Sequence, residues 1–377
     1  MEIIQVSTPQ ELKAFINLPY EFYRNDPVWV APLRSEQAGQ YVPEKNPMLQ
    51  HCEYTLFLAK KDEKVVGRIS AFVDRLAVEH WKQPVGLFGS FESSNDPEVA
   101  NALLNAARGW LKQKGMTSIR GPWSFASQEW GLVVEGFEPS PVIMAPYNPP
   151  YYNDLLTGFG LQKAEDLMVY VIDASEGYTF PERYLTLTEI VKKRYGVTVR
   201  EIDMHNIERD VTTILDLANV SICDNWGFYP VTKDEAKAMA RDLKQIINPK
   251  GVLIAESPDG KPIGFAMTLP DINKVIKGLD GRLLPFGWFK LLTGLPKLHQ
   301  FRMWALGVIP EYQGKAIDTL LYRATYDNLF TDDIRLEINY ILEDNDRMNN
   351  AVYKLGVKNL RRYRVYEMPI ELARKYP

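Results

Sequence analysis

Cysteine and histidine are scarce in this chain. The two cysteines, Cys52 and Cys223, cannot build a disulfide framework or a four-cysteine zinc site, and each is expected to be a reduced, buried thiol. The four histidines, His51, His80, His205 and His299, are scattered and show no metal-ligand spacing, so no metal is expected. Long apolar runs are also missing. No segment offers the roughly 20 uninterrupted apolar residues of a membrane span. Met1-Glu2-Ile3-Ile4-Gln5 does not begin a basic region followed by an apolar stretch, so no signal peptide is expected and a cytoplasmic location is inferred. Positive charge is not in surplus. The net charge of −4 argues against a nucleic-acid partner, which usually meets a basic face.

What is present reads as folded, globular sequence. The 377 residues are long for one hydrophobic core, and two domains are the natural expectation. With 46% hydrophobic and 24% charged residues and no low-complexity segment, order is expected nearly throughout. The pattern predicts a strand at 2–6, a helix at 10–23, and strands at 54–60 and 64–74 flanking the charged turn Lys61-Asp62-Glu63. A strand at 85–92 follows, then a helix at 96–114 with Val99, Leu103, Ala106, Ala107 and Trp110 on one face. A strand at 117–121, a short helix at 153–156 and a strand at 167–172 complete this half.

The second half repeats the order. A strand at 197–202 and helices at 207–223 and 233–246 precede a hairpin, 252–256 and 262–268, around Ser257-Pro258-Asp259-Gly260. Then come a strand at 302–308, a helix at 316–330, a strand at 334–342, a helix at 347–355 stopped at Gly356, and a strand at 360–370. A repeat of this length predicts two copies of one domain, 1–175 and 185–377, joined through the charged, turn-rich stretch near 173–184.

The informative stretch is Trp304-Ala305-Leu306-Gly307-Val308-Ile309-Pro310-Glu311-Tyr312-Gln313-Gly314-Lys315-Ala316-Ile317-Asp318: a strand, a proline stop, a small-residue loop and the start of an amphipathic helix. Loop amides and the unpaired amides of a helix N-terminus converge on one spot there, and the helix dipole favours an anion. Lys315 adds positive charge.

This stretch resembles the coenzyme A pyrophosphate motif of the GNAT N-acyltransferase superfamily. Val308, Pro310, Glu311, Tyr312, Gln313 and Gly314 match in place, Ala316 stands at the second glycine, and Asp318 replaces the third. A carboxylate at that position suits the helix dipole but repels a phosphate, so the direction of Asp318 decides its effect. Downstream, Asn345-Asp346-Arg347-Met348-Asn349-Asn350-Ala351-Val352-Tyr353-Lys354-Leu355-Gly356 resembles the family segment carrying a tyrosine that protonates the departing thiolate and an asparagine that contacts pantetheine. Asn345 lies one residue too far from Tyr353, and Val357 stands where Phe is usual. The segments 86–92, 121–125 and 148–152 are similar to bacterial proteins of this length described only as GNAT-like.

The resemblance implies a fold and an activity. The fold is α/β (α+β), with two tandem GNAT-like domains, each a mixed, mostly antiparallel central sheet flanked by helices. The activity is acyl transfer from acetyl-CoA, or another acyl-CoA, to an amine of a small molecule or peptide. Leu306, Gly307, Val308, Gln313, Gly314, Lys315, Ala316, Ile317 and Asn345 would hold the coenzyme. Leu306 or Gly307 would supply the amide that polarises the thioester. Tyr353 would be the acid, and Glu337 or Glu343 the base. Asn225, Trp226 and Tyr229, between two helices, would line the acceptor site. The first half offers Ser93-Ser94-Asn95-Asp96-Pro97-Glu98 at the matching loop. That is good capping chemistry and poor pyrophosphate chemistry, so the first copy is expected to be inactive and to complete the acceptor pocket.

An apolar insertion, Leu283-Leu284-Pro285-Phe286-Gly287-Trp288-Phe289-Lys290-Leu291-Leu292, reads as a lid, an inter-domain contact or a surface anchor, with the first two favoured. Two other functions stay open: a non-catalytic coenzyme-binding protein of the same fold, and an aminoacyl transferase using charged tRNA, against which the acidic balance counts. A monomer built as a pseudo-dimer and a homodimer are equally compatible.

Overall fold

The computed structural model describes residues 1–124 and 130–371. Phe125, at the end of the segment 121–125 considered above, lies outside them. Two compact units share the chain. Unit 1 comprises Met1–Leu167, Lys277–Leu283 and the C-terminal part from Arg361, and unit 2 comprises Met168–Ile276 and Leu284–Leu360. The division therefore follows the expected halves only up to Leu167, because the last strand carries residues of both.

Unit 1 contains β1 (Glu2–Gln5), α1 (Pro9–Phe22), α2 (Arg34–Gly39), β2 (Cys52–Lys61), β3 (Lys64–Asp74), α3 (Arg75–Trp81), β4 (Val85–Ser93), α4 (Pro97–Gln113), β5 (Ser118–Gly121), β6 (Leu132–Glu135), α5 (Tyr151–Phe159) and the first half of β7 (Gln162–Asp173). Its strands run β1-β2-β3-β4-β5 and then the C-terminal part of β13 (Lys358–Pro369), which also pairs with β6. All neighbours are antiparallel except β4 and β5, paired in parallel through Val85–Leu87. The helix α4 forms because Asp96 accepts the Glu98 amide at its N-cap and Pro97 presets the first turn. Its apolar stripe, Val99, Ala100, Leu103, Leu104, Ala107 and Leu111, is fully buried in the unit 1 core. Each leucine so buried contributes about 1.5–3 kcal/mol.

Unit 2 repeats the arrangement with α6 (Glu182–Tyr195), β8 (Thr198–Glu201), α7 (Ile207–Ser221), α8 (Lys233–Leu243), β9 (Val252–Glu256), β10 (Pro262–Pro270), α9 (Asn273–Ile276), α10 (Gly287–Gly294), β11 (Gln300–Val308), α11 (Ile317–Leu329), β12 (Arg335–Leu342) and α12 (Asp346–Lys354). The strand order is β7-β12-β11-β10-β9-β8. Again one pair is parallel, β11 with β12, and it follows the hairpin as β4–β5 does in unit 1. Both hairpin-to-strand junctions carry a register shift, at Arg68/Ser70 in unit 1 and Met267/Thr268 in unit 2. The helix α6 was not expected; it starts at the end of the stretch read as a junction and runs beyond it. Its polar surface hides a short stripe, Tyr184, Thr188 and Val191, spaced to bury one face.

Candidate active site

The site begins where two parallel strands part. β11 pairs with β12 only through Gln300–Met303 against Arg335–Ile338, and Ala305–Val308 continue on β10 alone. The register with β10 passes from Met303 to Ala305, leaving Trp304 as an extra residue. A bulge of this kind bends a strand and ends pairing on its far edge. The Ile309 amide donates to the Ile263 carbonyl at 2.9 Å. Backbone groups alternate in direction along a strand, so the amides of Ala305 and Gly307 also face β10, and those of Leu306 and Val308 face the gap. The Val308 carbonyl obeys this alternation, accepting from Gln313 Nε2 at 3.0 Å across the open edge.

Of the two expected thioester donors, Leu306 is therefore the one aimed at the opening, and Gly307 is corrected. Gly307 supplies space instead. A Cβ there would lie 2.2 Å from the Ser221 Oγ at the end of α7, so no side chain fits. Asn225, Trp226 and Tyr229 lie in the segment that follows α7. All three of those side chains are half-buried.

After β11 the chain makes one helical turn at Pro310–Tyr312 and reaches Gly314 at φ 75° and Ala316 at φ 58°. These left-handed residues turn the main chain so that successive amides point to one side. A Cβ on Gly314 would meet nothing within 4 Å, so it is the positive φ, rather than crowding by protein, that calls for glycine. The amides of Tyr312 and Gln313 are used locally, by Ile309 and Pro310 carbonyls. Among the described residues, the amides of Gly314, Lys315, Ala316 and Ile317 donate to no protein acceptor. Lys315 Nζ is parked 4.6 Å from the Tyr312 ring centre and 5.8 Å from that of Tyr195. Arg347, at the start of α12, donates to Gln313 Oε1 at 3.0 Å. Two cations and four unused amides thus surround the turn.

Asp318 works against them. Its side chain is half-buried, close to the Thr319 amide and the Tyr322 hydroxyl, with Arg347 as the nearby cation. Burial raises its pKa above the ordinary aspartate value, and those partners only partly offset the rise. The amides left for an anion are those of the turn 314–317.

The remaining expected residues fall in three places. Tyr353 is exposed on α12, its ring set edge-on against that of Tyr170 with centres 5.2 Å apart, and the Tyr170 hydroxyl donates to Asn349 Oδ1 at 2.8 Å. Burial, then the Tyr353 contact, push the Tyr170 hydroxyl upward. Asn345 is the N-cap of α12, its Oδ1 accepting from the Met348 amide at 3.0 Å. Capping therefore occupies the oxygen that was expected to meet pantetheine. Glu337 is 2% exposed, stands in register with the fully buried Arg302, and lies 3.8 Å from Arg335. It faces away from Leu336 and Ile338, which are in the core beneath α11 and α12. Glu343 is half-exposed just past β12. A cleft of about 260 Å³ in unit 2 is lined by Val171, Tyr178, Pro181, Leu355 and Gly356 but by none of the turn residues, so the anion site rests on the turn itself.

Sequence reasoning missed Arg347 and the Tyr170–Tyr353 pair, since both need α12 placed against other elements. It also missed that His51, Cys52 and Asp74 come together, their ligand atoms within 4.8 Å. Asp74 there accepts from His51 and caps α3 through Leu76 and Ala77, which accounts for the contact structurally. In unit 1 the loop matching the turn is closed by Asp96, bound to Glu98 N–H and to Lys61.

Two units of this topology, one carrying a splayed parallel strand pair that leads into an amide-lined turn, make up a tandem GNAT fold. A solved tandem GNAT protein from the clavulanic acid biosynthesis pathway has the same fold, with a TM-score of 0.58 at 12% identity over 99% of each chain. No family model matches the chain. Two relatives match nearly end to end. The bacterial ceramide synthase of Caulobacter vibrioides is 34% identical across 97% of both chains. Protein YghO of Escherichia coli is 36% identical across 96% of this chain and 93% of its own. The chain belongs to the family of these two proteins. No helix among its described residues is long and apolar enough to cross a membrane.

Proposed function

We propose that unit 2 transfers a long-chain acyl group from coenzyme A to the amine of a lipid-like acceptor. The observation that carries the transfer is the unpaired edge of β11, where the Leu306 amide faces an opening that leads to the free amides of 314–317. The relative named for ceramide synthesis supports the substrate class, because a ceramide is the amide of a fatty acid and a long-chain amino alcohol. This narrows the acyl-CoA and the small-molecule amine expected from sequence to long-chain members of each class.

In this reading the coenzyme diphosphate lies on the turn with Lys315 and Arg347. The pantetheine enters between β11 and β12 after displacing Gln313 from the Val308 carbonyl. The acceptor nitrogen attacks the thioester carbon, and the Leu306 N–H holds the developing oxyanion. A carboxylate, Glu337 or Glu343, takes the ammonium proton, the carbon–sulfur bond breaks, and the Tyr353 hydroxyl protonates the thiolate. Positioning the two reactants supplies much of the acceleration. Asn225, Trp226 and Tyr229 border the acceptor side.

The test is thiol release and mass detection of the amide, with palmitoyl-CoA against acetyl-CoA and a sphingoid base against a small primary amine. Turnover confined to the long-chain pair supports the proposal. Turnover with acetyl-CoA and a small amine, or none with any pair, removes it.

A further inference from the structure

The exposed apolar surface of unit 2 is concentrated in one place. Among the described residues, five of the eleven large apolar side chains that stand exposed fall between Leu284 and Leu292. Leu284 and Phe286 are 79% exposed, and Trp288, Phe289 and Leu292 are 48–61% exposed. α10 is apolar on two sides. Gly287 is buried, and Gly294 approaches Val275 of α9, while Trp288, Phe289 and Leu292 point outward. Apolar clusters of this kind are seldom left in water without a partner.

Three features choose the partner. The first is charge. Between Asn273 and His299 there are five basic residues, Lys274, Lys277, Arg282, Lys290 and Lys297, against the single acid Asp280, in a chain whose net charge is −4. All five stand exposed. The second is residue type, since Trp, Phe and Leu flanked by Lys and Arg is the composition of a helix that lies in a lipid interface. The third is the state of the polar groups. The Trp288 indole N–H donates to the Pro285 carbonyl at 2.9 Å, and the Thr293 hydroxyl to the Phe289 carbonyl at 2.8 Å. These donors can enter an apolar layer without losing water as their only partner.

We propose that Leu284–Leu292 is an interfacial anchor that inserts Leu284, Phe286, Trp288, Phe289 and Leu292 into the surface of an anionic phospholipid bilayer, with the flanking lysines and Arg282 over the headgroups. The anchor lies on the membrane and does not span it. It does not depend on the acyl-transfer reading, because binding is measured without substrate or turnover.

The experiment is co-sedimentation of the full chain with phosphatidylglycerol and with phosphatidylcholine vesicles. The wild type is expected to bind phosphatidylglycerol vesicles, to bind phosphatidylcholine more weakly, and to weaken as salt rises. The triple variant Phe286→Ser, Trp288→Ser, Phe289→Ser is expected to lose at least about tenfold in partitioning. Circular dichroism and the thermal midpoint establish that it remains folded, and Lys290→Glu with Lys297→Glu weakens the anionic arm alone. Absence of binding to both vesicles, undiminished binding by the triple variant, or a concentration-dependent dimer that the triple variant abolishes would each overturn the proposal; the last outcome would assign the surface to a second copy of the chain.

Discussion

Replacing Asp318 with asparagine removes one negative charge from the helix terminus nearest the proposed diphosphate site while keeping the size of the side chain. Two unit charges about 5 Å apart interact by roughly 3 kcal/mol at an effective dielectric near 20 and by under about 1 kcal/mol in bulk water. Asp318 is half-buried, so its repulsion of a bound diphosphate falls between those limits, about 1–3 kcal/mol. Asp318→Asn should therefore tighten coenzyme A binding roughly fivefold to a hundredfold in a calorimetric titration. The wild type should also bind more tightly as pH falls through the raised pKa of Asp318, and that part of the pH dependence should vanish in the variant.

The same substitution has a stability consequence of fixed sign. The folded chain holds the Asp318 proton more tightly than the unfolded chain does, so ionisation costs stability as pH rises from the ordinary value of 3.8 through the raised folded value. Asp318→Asn should raise the thermal midpoint at pH 7, and the gain should disappear below that window. Weaker coenzyme binding by the variant, or binding unchanged at every pH, would refute the placement of the diphosphate on 314–317.

Other outcomes follow from the same geometry. Arg347→Ala should weaken coenzyme A about tenfold while leaving the thermal midpoint nearly unchanged, because the residue is exposed and hydrogen-bonds to the exposed Gln313. Tyr353→Phe should lower kcat by about a hundredfold or more with little change in KM; an equal rise in KM would assign the residue to binding. Glu337→Gln breaks a buried ionic neighbourhood with Arg335 and should cost about 3–5 kcal/mol in denaturant unfolding, whereas Glu343→Gln should not. Leu103→Ala, in the fully buried stripe of α4, should destabilise by about 2–5 kcal/mol, an effect on folding and not on coenzyme binding.

Much of the architecture was legible from local pattern. The hairpin turns, the stripe of α4 and the order of strands and helices are short-range features, recorded in residues near one another along the chain. The turn Gln313–Ala316 was equally readable, since a proline stop, a glycine and a helix start are local chemistry. The helix α6 escaped because a stripe of only Tyr184, Thr188 and Val191 gives a weak periodic signal in polar surroundings.

What the tertiary structure alone decided are directions and meetings. Residue identity cannot say which way the Asp318 carboxylate turns, because helix-start and plug are both allowed until Tyr322 and Arg347 are in place. Nor can it say that the Leu306 amide, and not that of Gly307, faces the opening; this depends on the register with β10 and on the bulge at Trp304. The coupling of Gln313 to Arg347 arises from elements remote in sequence. Local interactions write themselves into neighbouring residues, whereas the orientation of a side chain or amide is set by whatever long-range packing brings against it.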